Sequence, residues 1–189
     1  MSALVIESLY GMVFVMLYHF IIRGEPTLLS STLWLVYYTL LFIVLGVMAL
    51  YDRAHSYVPA AFLYAYGFLS LMMLAVRYMD ERVFQILLDP VIVSLPFLLI
   101  FLITRGRGLG FADVLLFLGV GAFFGVPEGM AVLFISVWSG ALYGLYLKYA
   151  HPKKDKKYIA MPFVPFIIFG FLVVLFTEID VFSIASLFA

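Results

Sequence analysis

Long apolar segments are the feature that most limits what this chain of 189 residues can fold into. A helix needs about 20 predominantly apolar residues to cross the hydrocarbon core of a bilayer. Within lipid, backbone N–H and C=O groups must be bonded inside the segment or to neighbouring protein, so such segments fold as helices. We therefore predict an all-α membrane protein, a polytopic bundle of about seven transmembrane helices in a single domain over residues 1–189. The predicted segments are 4–22, 33–51, 58–76, 84–103, 111–124, 130–149 and 162–176.

Three of these segments leave alternatives open. The fourth is interrupted by Asp89-Pro90 and could begin only at Val91, while the fifth and seventh are short for a full span. The first segment lacks a basic n-region and a small-residue cleavage site, so it is read as a retained helix rather than a signal peptide. Residues 178–189 are either a tail or an interfacial helix.

Composition supports the membrane class and excludes several functions. The chain is 66% hydrophobic and 12% charged, whereas soluble domains are about 25% charged. A net charge of zero and the lack of a basic, aromatic-interleaved surface argue against a nucleic-acid partner, and leave membrane lipid as the surrounding partner. Because the chain has no cysteine, it has no disulfide, thiolate metal site or cysteine nucleophile.

Orientation follows from the distribution of basic residues between the connections. Eight of the eleven Lys and Arg residues lie after the second and fourth segments or from the end of the sixth segment onward, whereas the opposite connections are rich in acidic residues. This distribution predicts a cytoplasmic N-terminus and an external C-terminus. The eight residues are Arg53, Arg105, Arg107, Lys148, Lys153, Lys154, Lys156 and Lys157.

Asp52 and Asp113 are the candidate catalytic residues. Asp52 follows the second segment and Asp113 opens the fifth, so both are predicted at the cytoplasmic boundary, provided that segments 58–76 and 84–103 both cross. Two neighbouring carboxyl groups can hydrolyse an amide bond, because one is ionised to activate water while the other is protonated. The simpler reading of each residue alone is structural: Asp52 ends a loop, and Asp113 caps a helix starting near Val114. Their position on one side favours the pair.

Glycines and prolines beside these residues also have two readings. The segment 105–110 is either a flexible turn or a place where Gly110 lets another helix or an extended peptide approach Asp113. Pro162 is ordinary near a helix start. Pro165 lies further in, where it is predicted to free the carbonyl of residue 161 and create a local opening for water or substrate.

These residues together resemble the type IV prepilin peptidases, polytopic aspartyl proteases with a Gly-x-Gly-Asp signature. The resemblance covers roughly residues 33–176, a six-helix core preceded by one additional N-terminal helix. Ala112 replaces the second glycine of the signature, as in the archaeal branch that includes the preflagellin (archaellin) peptidases. The motif residues that carry the resemblance are Asp52, Pro59, Gly108, Gly110, Ala112, Asp113, Pro162, Pro165 and Gly170.

The resemblance implies removal of a short basic leader from pilin-like or archaellin precursors at the cytoplasmic face, with Asp52 and Asp113 as the catalytic pair and no metal or other cofactor. Leu115 stands where many relatives have a lysine, so that cation is either absent or supplied by Arg105 or Arg107. The tetracysteine insert of many bacterial relatives is missing. The N-methyltransferase activity of those bifunctional enzymes is therefore not carried over.

Two rival functions remain open. A presenilin-like intramembrane protease is similar in its Tyr51-Asp52 and Gly-Leu-Gly elements, but Phe111-Ala112 interrupt the second element and no Pro-Ala-Leu follows. A small ion or proton transporter subunit would use the two aspartates as binding groups, and it predicts a second polar cluster on the outer side. Substrate identity, oligomeric state and the assignment of base and acid are left open by the sequence.

Overall fold

All regular secondary structure in the described part of the chain is helical. The computed structural model describes residues 28–81, 84–106, 109–150 and 162–182, and no strand occurs in these ranges. The prediction of an all-α membrane bundle is therefore confirmed, while the predicted helix 4–22 lies outside the described residues. The elements are α1 (Leu28–His55), α2 (Ala60–Glu81), a 3-10 helix (Phe84–Leu88), α3 (Asp89–Thr104), α4 (Phe111–Phe124), α5 (Val126–Ala150) and α6 (Val164–Thr177).

Four of these helices are long and apolar enough to cross a membrane. The spans are Thr32–His55 in α1, Ala60–Met79 in α2, Ile86–Thr104 across the 3-10 helix and α3, and Val126–Leu147 in α5. Helices α4 and α6 have 14 residues each, which corresponds to about 21 Å against a hydrocarbon core of about 30 Å. The expected shortness of the fifth and seventh segments is confirmed.

The connection after α1 differs from the predicted boundary. Helix α1 continues to His55 instead of ending at residue 51, and it stops where Ser56 adopts a left-handed conformation with φ of 55°. The amide of Ser56 donates to the carbonyl of Asp52 at 2.8 Å. Pro59 then starts α2, because its carbonyl receives the amides of the first turn. Asp52 therefore lies in the last turn of a helix rather than in a loop.

The Asp89-Pro90 pair begins a helix instead of interrupting one. Pro90 occupies the first turn of α3, where its missing N–H is not needed, and Asp89 places an acidic group at the same helix start. At the other end, Arg105 adopts φ of 51° and the amide of Gly106 donates to the carbonyl of Phe101 at 3.0 Å. This is a Schellman-type helix end. It turns the chain toward α4.

The chain divides into two compact units, residues 1–46 and 47–189. In the described part of the first unit, Trp34, Tyr37 and Tyr38 of α1 bring their rings together, with centroids 5.4 to 5.9 Å apart. In the second unit, α4 is the central helix and packs against α2, α3 and α5. Most of α4 is buried, in keeping with its apolar sequence: Asp113, Val114, Leu116, Phe117 and residues 119–123.

Helices α5 and α6 also pack closely, at the predicted motif residue Gly170. A Cβ atom on Gly170 would lie 2.6 Å from Ser136 Oγ and 2.8 Å from the carbonyl oxygen of Val132 on α5. Real Cβ atoms do not approach other atoms this closely, so glycine is required by the helix crossing itself. Gly170 therefore has a packing role.

Candidate active site

Asp52 is held by the start of α6. Its side chain is 7% exposed, and its Oδ2 accepts a hydrogen bond from the Val164 N–H at 3.0 Å. Val164 is the first residue of α6, where backbone N–H groups have no acceptor within their own helix. Asp52 therefore caps a helix that lies 112 residues further along the chain.

Pro165 explains why Val164 is the donor. It lies in the first turn of α6 and brings no N–H that would need an acceptor, while the amides of Phe166 and Ile167 bond to the carbonyl of Phe163 at 3.0 and 3.2 Å. The predicted opening at residue 161 is not supported, because α6 begins after that residue and Pro165 breaks no bond inside the helix. Residue 161 itself lies outside the described residues.

Asp113 is held by the start of its own helix. It is 8% exposed, and its Oδ2 accepts the N–H of Gly110 at 3.0 Å while its own N–H donates to the Gly110 carbonyl at 3.1 Å. Asp113 therefore stabilises the first turn of α4 from inside the helix, as the third residue after the N-cap Gly110, and is not the N-cap of a helix starting near Val114. Gly110 has φ of −75° and ψ of 149°, a conformation open to any residue. A Cβ there would lie 3.4 Å from Asp113 Oδ2, so a side chain at this exposed position would stand beside the carboxylate.

The two carboxyl groups are held in the same way. Both belong to the second unit, and both are buried. Each uses Oδ2 to accept a backbone N–H. Within the described residues, neither Oδ1 atom accepts a hydrogen bond. The arrangement leaves one oxygen of each carboxyl group available to water or a substrate.

An aromatic stack links α3, α4 and the start of α6 beside the two aspartates. The rings of Phe97 on α3 and Phe117 on α4 lie 4.1 Å apart and nearly parallel, and Phe97 also contacts Phe163 at 5.8 Å. Phe117 lies one turn after Asp113, and Phe163 directly precedes the amide that holds Asp52. Phe97 and Phe117 are buried. The ring of Phe97 therefore holds both the turn of α4 after Asp113 and the residue before Val164 in place.

The other predicted motif residues have less direct roles. Ala112 is half-buried and lies next to Asp113 in the sequence, and Pro162 precedes α6. Gly108 and Arg107 lie outside the described residues. Arg105 is exposed at the end of α3 and forms no salt bridge with Asp113.

A second polar cluster, which the sequence analysis did not identify as a pair, lies at the opposite end of α4. Arg77 Nη2 pairs with Asp89 Oδ2 at 2.9 Å, and Arg77 Nη1 lies 3.4 Å from the carbonyl oxygens of Gly121 and Ala122. The available signal was a pair of opposite charges, with Arg77 directly after the segment 58–76 and Asp89 inside the segment 84–103. The transporter alternative predicts such a cluster, but this one is a paired group that caps α4. Buried Phe117 and Val120 lie along α4 between it and Asp113.

The described residues contain no group of three or more His, Cys, Asp or Glu side chains able to hold a metal ion. The chemistry that the site itself offers is that of two carboxyl groups. Fold and site together define a multi-pass membrane protein with a buried carboxyl pair at helix ends.

Comparison with known families gives the class of protein. The chain matches the Type IV leader peptidase family over residues 39–145, more than half of its length. The match includes Asp52 and Asp113 and lies within the segment 33–176 that carried the resemblance. The chain belongs to the Type IV leader peptidase family and is a leader-peptidase-like protease of the membrane. No curated protein and no solved structure matched the chain.

Proposed function

We propose that the protein is an aspartic endopeptidase in which Asp52 and Asp113 form the catalytic pair. The observation that carries this proposal is that two buried carboxyl groups from different helices, α1 and α4, lie in the same compact unit and are each oriented by a backbone N–H at a helix start. Either residue is able to act as the base, and the other then acts as the acid. The mechanism uses neither a metal nor a covalent intermediate.

Hydrolysis in this site would follow the chemistry of a shared-proton carboxyl pair. The ionised aspartate takes a proton from water as the oxygen attacks the scissile carbonyl carbon, while the protonated aspartate donates to the carbonyl oxygen. The C–N bond then breaks as the leaving amine takes up the proton that the first aspartate removed from water, and a hydroxyl of the tetrahedral intermediate returns a proton to the second aspartate. The bonds from Gly110 and Val164 hold each carboxyl group in one orientation while these transfers occur.

The proposed substrates are pilin-like or archaellin precursors, cleaved just before their hydrophobic helix at the cytoplasmic face. Family membership supports prepilin-type substrates. Asp52 lies in the last turn of α1 and Asp113 in the first turn of α4, positions that suit a peptide bond outside the hydrocarbon better than one in mid-membrane. Ala112 in place of the second signature glycine supports the archaeal branch.

Replacement of each aspartate tests the proposed pair. Asp52→Asn and Asp113→Asn retain the side-chain volume and an amide oxygen that accepts the backbone N–H, but they remove the acid–base group. We expect each variant to insert normally and to lose at least about 1,000-fold in cleavage rate. The measurement is release of the leader from a purified pilin-like precursor in detergent or vesicles.

Glu128→Gln in the first turn of α5 is the matched control, because it removes a carboxylate far from the pair. It should cleave at the wild-type rate. Cleavage by both Asp→Asn variants at more than a tenth of that rate would refute the proposed catalytic pair. Mapping of the cleaved bond addresses the substrate separately: a cut inside the transmembrane helix of the precursor would favour the presenilin-like alternative.

A further inference from the structure

Helix α2 meets the backbone of α4 directly at Tyr66. A Cβ on Gly119 would overlap the Tyr66 ring and lie 2.9 Å from Ser70 Oγ. The Tyr66 hydroxyl donates to the carbonyl of Leu116 at 3.2 Å, and the side chain is 1% exposed. Since this carbonyl lies one turn from Asp113, α2 packs tightly against α4 close to the proposed catalytic residue.

Helix α3 makes an equally close approach at a second glycine of α4. A Cβ on Gly121 would lie 2.7 Å from both the carbonyl oxygen of Asp89 and the Cα of Pro90. The atoms at this contact belong to the backbone, which cannot move aside as a flexible side chain can. Gly119 and Gly121 therefore leave two gaps in the surface of α4, here called notches. Helix α2 packs into the notch at Gly119, and helix α3 packs into the notch at Gly121.

The positions of the notches determine the direction in which Asp113 points. With 3.6 residues per turn, successive residues differ by about 100°, so the notches face directions about 160° apart on the shorter arc. By the same count, Asp113 projects about 80° from the direction of Gly121 and about 120° from that of Gly119. Rotation of α4 in either sense would move a side chain into one of the notches. The two contacts thus fix the rotation of α4 about its axis.

We propose that Tyr66 and Gly119 are positioning residues that hold α4 at the rotation where Asp113 faces Asp52. This inference rests on the proposed function for its catalytic meaning, because it assigns these residues to the alignment of the carboxyl pair. Neither residue contacts the reacting atoms. Their effect passes through the backbone of α4 to Asp113.

The natural lack of cysteine allows a test that does not depend on activity. In the variant Asp52→Cys/Asp113→Cys, the rate of crosslinking by a short bifunctional maleimide reports the approach and orientation of the two positions. Adding Gly119→Ala should lower that rate at least about fivefold. Adding Gly67→Ala, whose Cβ would meet nothing within 4 Å, should leave it unchanged.

A pair of compensating substitutions tests whether Tyr66 is the residue that packs against Gly119. Tyr66→Leu removes the ring and the hydroxyl, so alone it should loosen α4 and also lower the crosslinking rate. Combined with Gly119→Ala, the smaller side chain makes room for the new methyl group, and the rate should recover to within about twofold of the parent. In the wild-type background, the same single variants should lower kcat and change the pH profile of cleavage, with KM within about twofold.

Equal crosslinking in the Gly119→Ala and Gly67→Ala proteins would overturn the proposal, and so would a double variant no faster than the slower single variant. Cleavage by the Asp→Asn variants would instead refute the catalytic pair and leave the crosslinking comparison intact. The two failures are therefore distinguishable. If Gly119→Ala does not insert, unchanged crosslinking in Tyr66→Leu alone overturns the positioning role.

Discussion

Each of the two aspartates is oriented by a backbone amide. Gly110 N–H holds Asp113 and Val164 N–H holds Asp52, each at 3.0 Å. A neutral donor fixes the carboxyl group without placing a full positive charge beside it. Hydrogen bonds to charged groups contribute roughly 1.5–3 kcal/mol, enough to select one side-chain orientation over others.

At the residue scale, Gly110 gives a prediction about access to Asp113. Gly110→Ala fits the backbone conformation, so we expect the free energy of unfolding to fall by less than about 1 kcal/mol. The added methyl group would lie 3.4 Å from Asp113 Oδ2. It should obstruct an approaching peptide and lower kcat/KM about tenfold, as measured by leader cleavage alongside thermal denaturation in detergent.

Gly46→Ala on α1 is the control for this prediction, since its Cβ would meet nothing within 4 Å. It should leave both measurements unchanged. If Gly110→Ala cleaves as fast as the wild type, the glycine is not needed for access and its position reflects the turn alone.

The residues of the candidate site could be proposed from the sequence, but their contacts could not. Carboxylates beside lipid are costly, which made Asp52 and Asp113 visible in the sequence. The partner of Asp52 was not, because a backbone N–H has no sequence signature of its own. Pro165 marked the start of a helix, but the contact with Asp52 depends on how distant helices pack.

At the element scale, substitution of Gly170 tests whether the close packing of α5 and α6 contributes to stability. Gly170→Ala would place a methyl group 2.8 Å from the carbonyl oxygen of Val132, and a helix backbone cannot yield without moving the helix. We expect a loss of about 1–3 kcal/mol of stability, seen as a lower melting temperature in detergent. Gly67→Ala adds the same methyl group in open space.

The contrary result for this pair of variants would be equal melting temperatures. That outcome would mean that α6 shifts on α5 at little cost. A shift of this kind would also be expected to disturb the bond from Val164 to Asp52, because both Gly170 and Val164 belong to α6.

Apolar length predicted the helices, whereas their ends depended on local chemistry. The segment 111–124 was predicted with the bounds that α4 has. The end of α1 was missed by four residues, because Tyr-Asp-Arg-Ala-His is polar enough to read as a loop although it continues the helix to His55. Helix α5 likewise starts four residues before the predicted segment, at Val126, which follows Gly125 with φ of 93°.

At the scale of the whole molecule, orientation in the membrane is a prediction from the basic residues. Ser56 lies in the connection predicted to be cytoplasmic, and Phe84 lies in the opposite connection and is 70% exposed. In intact cells, a membrane-impermeant maleimide should label Phe84→Cys but label Ser56→Cys only after permeabilisation. The cysteine-free wild type is the control for background labelling.

Labelling of Ser56→Cys in intact cells, with Phe84→Cys protected, would show that the orientation is the reverse of the predicted one. The proposed site would then face away from the cytoplasm, since Asp52 and Ser56 lie at the same end of α1. The described spans support the two aspartates sharing one side, because Ala60–Met79 and Ile86–Thr104 lie between them and both are long enough to cross.

The bond between Asp52 and the amide of Val164 also has a consequence for biosynthesis. Chains are made from the N-terminus and insert progressively, so α1 enters the membrane long before α6 exists. Until residue 164 emerges, the Asp52 carboxyl group lacks the donor that orients it. The site is therefore completed late in translation, and a nascent chain that stops before α6 would carry both aspartates without an aligned pair.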